Sequence, residues 1–385
     1  MKKSEIFLSL LIIFIGFTTY SYFQHPDLLQ KMIDTIYEIP DTVSSYISDD
    51  TNIVSTPSYS KINVQITNSM YENNISCNSI LTRYDIDYAL KCMLSGENRT
   101  NVQVYANKLK STSKVQTVWN ILEFVDKNIK YDKGKESKLP IVYKVYPSGR
   151  IEIIKGRDAY IQTPYETIQR GKGICSDYTI LILALLLDSG FDTVYAMEIE
   201  GSSDGHIVPI VEISGWYFVM DQHLPPMDLE GFVKTYNGNI KTLYWYEITK
   251  KGNSVEIRKS LLSVSDVLNE KYEATILDFN PIRDRINIML SNNYGVNIDS
   301  KLPKYFSKEI PTVKYTKILR VMISFKNLAL LYNPIFEKQY VEYLYSEMFK
   351  MSNIDLDGLL KGAKAVYVNF KINKNDLEMI VYIGI

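Results

Sequence analysis

Three cysteines and three histidines in 385 residues are too few for a disulfide-stapled scaffold, and no CxxC or paired Cys/His spacing occurs among them. A structural zinc site is therefore not expected, nor is any other metal or cofactor. An excess of charge of either sign is also missing. Lys plus Arg total 43 against 44 for Asp plus Glu, so no global field draws in nucleic acid, which is not expected as a partner. Internal repeats and low-complexity tracts are absent, which removes solenoids and propellers.

Long apolar runs are absent with one exception. Residues 6–23 (IFLSLLIIFIGFTTYSYF) carry no charge, and these 18 residues are about the minimum for a spanning helix. Lys2 and Lys3 keep the short N-terminal side cytoplasmic under the positive-inside rule. No small-x-small cleavage site follows the run, so the segment reads as an uncleaved anchor rather than a signal peptide. The expected location is the cell membrane, single-pass, with the rest of the chain extracytoplasmic.

What is present is ordinary globular composition, 46% hydrophobic and 23% charged, at a length that favours two folded regions. After the anchor (1–23), residues 24–110 read as a stalk and N-terminal extension, with Pro26, Pro40 and Pro57, a Ser/Thr/Asp-rich run and one short helix near 28–37. A second short helix falls near 84–93. Val115, Val118, Trp119, Leu122, Val125 and Ile129 recur at spacings of three and four, which predicts a helix lying on a core. IVYKVY and RIEIIK predict two strands about a Pro-Ser-Gly turn. The final region, 251–385, reads as additional α+β structure: helices near 315–331 and 336–351, then a hairpin of AVYVNFKI and EMIVYIGI. An extracytoplasmic location permits Cys77 and Cys92 to pair, but two buried free thiols are the preferred reading.

The segment 163–226 carries the chemistry. Gly171-Lys-Gly-Ile-Cys175 precedes a run that is apolar at every position from Ile180 to Leu187, with Gly190 beyond it. Such a run predicts a helix buried on all faces and stopped at Gly190. Cys175 falls at its N-terminus, where unpaired N–H groups and the helix dipole stabilise a thiolate and can receive an oxyanion. A nucleophilic cysteine needs a base, and His25 lies beside the membrane segment, which leaves His206 and His223. In GHIVPIVEISGWYFVMDQH a two-residue loop at Ser214-Gly215 puts Ile213 opposite Trp216. His206 and Asp221 then share a face as diagonal neighbours, within reach of an imidazole–carboxylate hydrogen bond. His223, on the same face, reads as pocket-lining rather than as the base. Asp177 reads as a complement to the helix dipole, and Tyr178 as core packing.

Gly-x-Cys opening a hydrophobic helix, a strand histidine 31 positions on and an aspartate 15 further in a Trp-x-x-x-x-Asp strand resemble the transglutaminase-like superfamily. The upstream helix ending NIKYD belongs to the same pattern, which covers about 115–226 and delimits a domain of 111–250. FVMDQHLPP with the N-terminal anchor resembles, more narrowly, an archaeal membrane-anchored branch. The resemblance implies a papain-like α+β fold in which the cysteine-bearing helix packs on an antiparallel sheet. It implies Cys175 as nucleophile, His206 as general base and Asp221 as the acid orienting it, acting on a protein or peptide substrate. The chemistry implied is amide-bond attack through an acyl-enzyme, with peptidase or amidase activity preferred. Protein-glutamine cross-linking and a catalytically silent peptide- or envelope-binding module are the alternatives. Two departures stand out: Ile207, Val208 and Pro209 replace an aromatic residue after the histidine, and the oxyanion donor has no place, since Trp119 lies 56 positions before Cys175.

Overall fold

Residues 76–201, 205–236, 238–268 and 272–385 are described by the computed structural model. The expected anchor at 6–23, the helix near 28–37 and the remaining stalk before residue 76 lie outside the described residues. Among the described residues no helix is long and apolar enough to cross a membrane.

Three short helices, Ile86–Met93 (α1), Gly96–Thr100 (α2) and Gln103–Leu109 (α3), precede the amphipathic helix Lys114–Asn128 (α4). Side-chain caps start α1 and α4, with Asp85 accepting from the N–H groups of Asp87 and Tyr88, and Ser113 from that of Gln116. Val118, Trp119, Leu122 and Val125 are buried on the inner face of α4, as their spacing predicts. The described part of the expected extension is packed: Arg99 of α2 forms a buried ion pair with Asp188 at 2.9 Å.

The expectation of free thiols at Cys77 and Cys92 is corrected, because the two are joined in a disulfide with Cα atoms 5.3 Å apart. The turn of 3-10 helix at Ile80–Arg83 and the start of α1 double the chain back and bring them together. Cross-linking a loop of this length stabilises by about 3 kcal/mol in the chain-entropy model. Chemical denaturation of a Cys77→Ser/Cys92→Ser variant is expected to show a loss of that size, which reduction of the wild type should reproduce.

The next elements set the helix that carries Cys175. A parallel bridge joins Lys130–Tyr131 (β1) to Lys172–Gly173 (β4), and Val142–Val145 (β2) pairs with Ile151–Lys155 (β3) in the expected hairpin. Helix Pro164–Arg170 (α5) ends at Gly171 with φ of 61°, a left-handed conformation suited to glycine. Cys175–Ser189 (α6) follows and stops at Gly190 with φ of 106°. Every side chain from Ile180 to Leu187 is fully buried, as an all-apolar helix requires.

The sheet beneath α6 is antiparallel and six-stranded. It contains Thr193–Gly201 (β5), Gly205–Ile213 (β6), Trp216–Val219 (β7), Met227–Asp228 (β8), Ile240–Lys251 (β9) and Ser254–Leu262 (β10), in the order β10-β9-β5-β6-β7-β8. Period-two alternation gives it two apolar faces. Val194, Ala196, Ile207 and Val211 enter the core containing α6, whereas Met197, Ile199, Val208 and Ile210 enter a second core with Leu229, Phe232 and Val233 of helix Leu229–Lys234 (α7). This is the expected cysteine-bearing helix on an antiparallel sheet.

Beyond it, helices Asn280–Tyr294 (α8), Leu328–Leu331 (α9) and Glu337–Met351 (α10) accompany a four-stranded sheet. Its strands are Asn297–Ile298 (β11), Ile318–Phe325 (β12), Ala365–Asn373 (β13) and Asp376–Gly384 (β14), ordered β11-β13-β14-β12. The helix expected near 315–331 is corrected. Leu319, Val321, Ile323 and Phe325 pack on or in the core at every second position, so 318–325 is a strand on β14 and only 328–331 is helical. The two regions share one apolar core: the Phe336 ring lies 6.1 Å from Trp119 and 4.9 Å from Phe218. Their contact is close at Gly231, where an added Cβ would lie 2.2 Å from the Leu330 carbonyl oxygen.

Candidate active site

Cys175 is the first residue of α6, a free cysteine, partly buried. Several bonds fix that helix against its neighbours. Tyr178 donates its hydroxyl to the Ile129 carbonyl at 2.8 Å, and Thr179 donates to the Ile207 carbonyl at 3.0 Å. The second bond ties the cysteine helix to the strand bearing His206.

The β6–β7 hairpin has the register its loop predicts. Ser214 and Gly215 take φ of 53° and 84°, the paired positive values of a tight hairpin turn, and Ile213 stands opposite Trp216. Pairing continues past β7 through the Met220 N–H, which donates to the Pro209 carbonyl at 3.0 Å. That register brings His206 Nε2 to 3.0 Å from Asp221 Oδ2. With Nε2 so engaged, Nδ1 is the ring nitrogen left for Cys175, whose side chain is near enough to help raise the imidazole's pKa.

The electrostatics favour a charged imidazole. Burial works against the imidazolium, but hydrogen bonds to Asp221 and Cys175, together with their negative charges, outweigh it and push the His206 pKa up to about 10 from 6.5. The folded protein therefore holds a proton that the unfolded chain releases above pH 6.5. The stabilisation is fully present below that value and is lost as pH rises towards about 10. Thermal unfolding is accordingly expected to show Tm falling between pH 7 and 10, less steeply in Cys175→Ser, where one of the groups holding the proton is gone.

His223 does not join this group. Its Nδ1 lies 2.6 Å from Asp126 Oδ1, and the imidazole is largely exposed. The Asp126 hydrogen bond raises its pKa against the effect of burial. Asp126 and Leu224, not His223, line a cavity of about 570 Å³ between α4 and α10, with Trp119 and Tyr343 among its walls. Asp126 thus holds the His223 ring against α4, away from the His206–Asp221 pair.

Sequence reasoning missed two tyrosines beside the site. Burial pushes the Tyr131 and Tyr236 hydroxyls well above their ordinary range, and the charges of Cys175 and Asp221 reach both, so each keeps its proton. Tyr131 is placed by the β1–β4 bridge, opposite Gly173. Tyr236 follows α7, and no spacing in the sequence links either residue to Cys175. Among the described residues no group of three or more His, Cys, Asp or Glu side chains is arranged to hold a metal ion.

Comparison with known proteins agrees with the superfamily. The transglutaminase-like domain family matches residues 100–248. A UPF0252 protein of Archaeoglobus fulgidus is 32% identical over 305 residues, which cover 78% of this chain and 89% of that protein. The chain belongs to the UPF0252 family. A second UPF0252 protein, from Pyrococcus furiosus, is 26% identical over 308 residues, 78% of this chain and 85% of its own length. The archaeal branch expected from FVMDQHLPP is thereby borne out. Among solved structures, calcium-bound LapG of Legionella pneumophila is similar at 17% identity and a TM-score of 0.20, covering 41% of this chain and 86% of LapG.

Proposed function

We propose that this UPF0252 protein is a thiol enzyme that cleaves peptide or amide bonds through an acyl-enzyme on Cys175. The observation that carries the proposal is the alignment of Cys175, His206 and Asp221, with the 3.0 Å His206–Asp221 bond fixing the imidazole and leaving Nδ1 for the thiol. The Cys175 sulfur attacks the amide carbonyl carbon, and the carbon–nitrogen bond breaks as His206 gives its proton to the departing nitrogen. Water then adds to the thioester with His206 as base, releasing a carboxylic acid and regenerating the thiol. Asp221 holds the ring and stabilises its charge. At the start of α6 Asp177 takes the Ile174 N–H and the Ile174 carbonyl takes the Asp177 N–H, so the N–H groups of Cys175 and Ser176 are the ones that serve the oxyanion.

Hydrolysis is preferred over cross-linking because an acceptor amine must outcompete water at about 55 M, which takes a dedicated water-excluding channel. Incubation with a peptide panel, a glutamine-rich protein and a labelled primary amine tests the assignment. Cys175-dependent cleavage or deamidation is expected. Amine incorporation exceeding both reassigns the protein as a transglutaminase, and no product at all marks a silent binding module.

The same proposal places the folded part outside the cytoplasm on an anchor at residues 6–23. The Cys77–Cys92 disulfide supports an oxidising compartment. Intracellular proteins of hyperthermophilic archaea also carry disulfides, so protease accessibility in right-side-out vesicles is the direct test. Protection of everything after Phe23 would overturn the topology.

A further inference from the structure

The turn that presents Cys175 is held by a carboxylate two residues on. Asp177 is fully buried, and its side chain gathers three segments of the chain. Its Oδ2 accepts from Lys135 Nζ at 2.5 Å, from the Ile174 N–H at 2.8 Å and from Gln162 Nε2 at 3.5 Å, while Oδ1 accepts from the Gln162 N–H at 2.8 Å. Lys135, its side chain only 4% exposed, comes from the short helix Lys133–Glu136, 42 residues away. Packing around the carboxylate is tight: a Cβ on Gly173 would lie 2.7 Å from that of Asp177. Ile174, the residue before the nucleophile, is therefore fixed by its backbone, and Gly173 by lack of space.

An exposed Ser, Thr or Asp cap would start the helix equally well. Burying a charged pair instead carries a large desolvation cost, and burial does pull the Lys135 pKa down although Asp177 opposes it. Stability alone is a poor reason for such a pair. Geometry is a better one, since a lysine anchored in one segment and a carboxylate bonded to two others permit only one placement of the turn.

We propose that Lys135 and Asp177 are positioning residues that fix the Ile174–Cys175 turn so that the Cys175 sulfur stays against His206. The inference rests on the triad reading above. It differs from a purely stabilising role in what it does to His206, because a displaced Cys175 no longer helps hold the imidazole proton. The imidazole titration, followed by NMR, is therefore the readout, together with the rate of Cys175 alkylation by iodoacetamide well below Tm. In Asp177→Asn the midpoint is expected to fall by about one pH unit, a tenfold change in the protonation equilibrium, and alkylation to slow by about tenfold. Lys135→Met keeps Asp177 and its backbone contacts and is expected to move both readouts in the same direction, so it decides the matter if Asp177→Asn does not fold. A wild-type His206 that titrates near 6.5 and ignores Cys175→Ser would remove the triad reading, and the positioning role with it. If the wild type is raised and sensitive to Cys175, but the folded variants match it while losing only Tm, the positioning role alone is overturned.

Discussion

His206→Ala is expected to lower kcat/KM for amide cleavage by about 10³-fold, with KM little changed. General acid–base assistance contributes about 10²–10⁴-fold, and this imidazole serves both steps, protonating the leaving nitrogen and then activating water. An amide nitrogen leaves poorly without that proton, so the loss falls on kcat. Asp221→Asn is expected to cost less, about 10²-fold, because the amide retains an acceptor for Nε2 but not the charge that stabilises the imidazolium. Steady-state kinetics on any peptide amide that the wild type turns over would check both. Equal rates for His206→Ala and wild type would remove the base from the mechanism.

Asp188→Ala is expected to destabilise the fold by about 3–5 kcal/mol, the usual cost of leaving one member of a buried pair unpaired. Asp188 closes the far end of α6, where its Oδ1 lies 2.9 Å from Arg99 Nε, with both side chains 2% exposed. Lys250, at 3.6 Å and partly exposed, adds to the positive charge left behind. Arg99 also donates to the Gly252 carbonyl at 3.0 Å, which ties α2 to the β9–β10 turn. Burial raises the Asp188 pKa even with both cations beside it, so the pair does not fully offset its own desolvation. Replacing both members with apolar residues, Arg99→Met/Asp188→Leu, is therefore expected to recover most of the loss in denaturant titrations. A double variant as unstable as Asp188→Ala would show that the pair itself supplies the stability.

The parts of this molecule legible in the sequence are those set by local pattern. The all-apolar run from Ile180 to Leu187 requires a buried helix, Gly190 stops it, and Ser214-Gly215 fixes the register that joins His206 to Asp221. Strand β12 was hidden because ILRVMISF also carries apolar residues at its even positions, such as Ile318 and Met322, which masks the period of two. Long-range pairing leaves no local trace at all. The Lys135–Asp177 bond spans 42 positions, and Asp177 alone reads as an ordinary first-turn acid. The cysteine pair was ambiguous for a different reason: Cys77 and Cys92 have a spacing that fits either state, and only the doubled-back chain decides it.

Cys175 as an activated nucleophile is tested most directly by intact-mass detection of the acyl-enzyme. The protein would be mixed with excess peptide aryl ester, quenched in acid at short times, and the modified residue located by peptide mapping. One acyl group per chain on Cys175 is expected, absent in Cys175→Ala and forming about 100-fold more slowly in His206→Ala. Acylation elsewhere, or acylation of Cys175 at the wild-type rate without His206, would contradict the account.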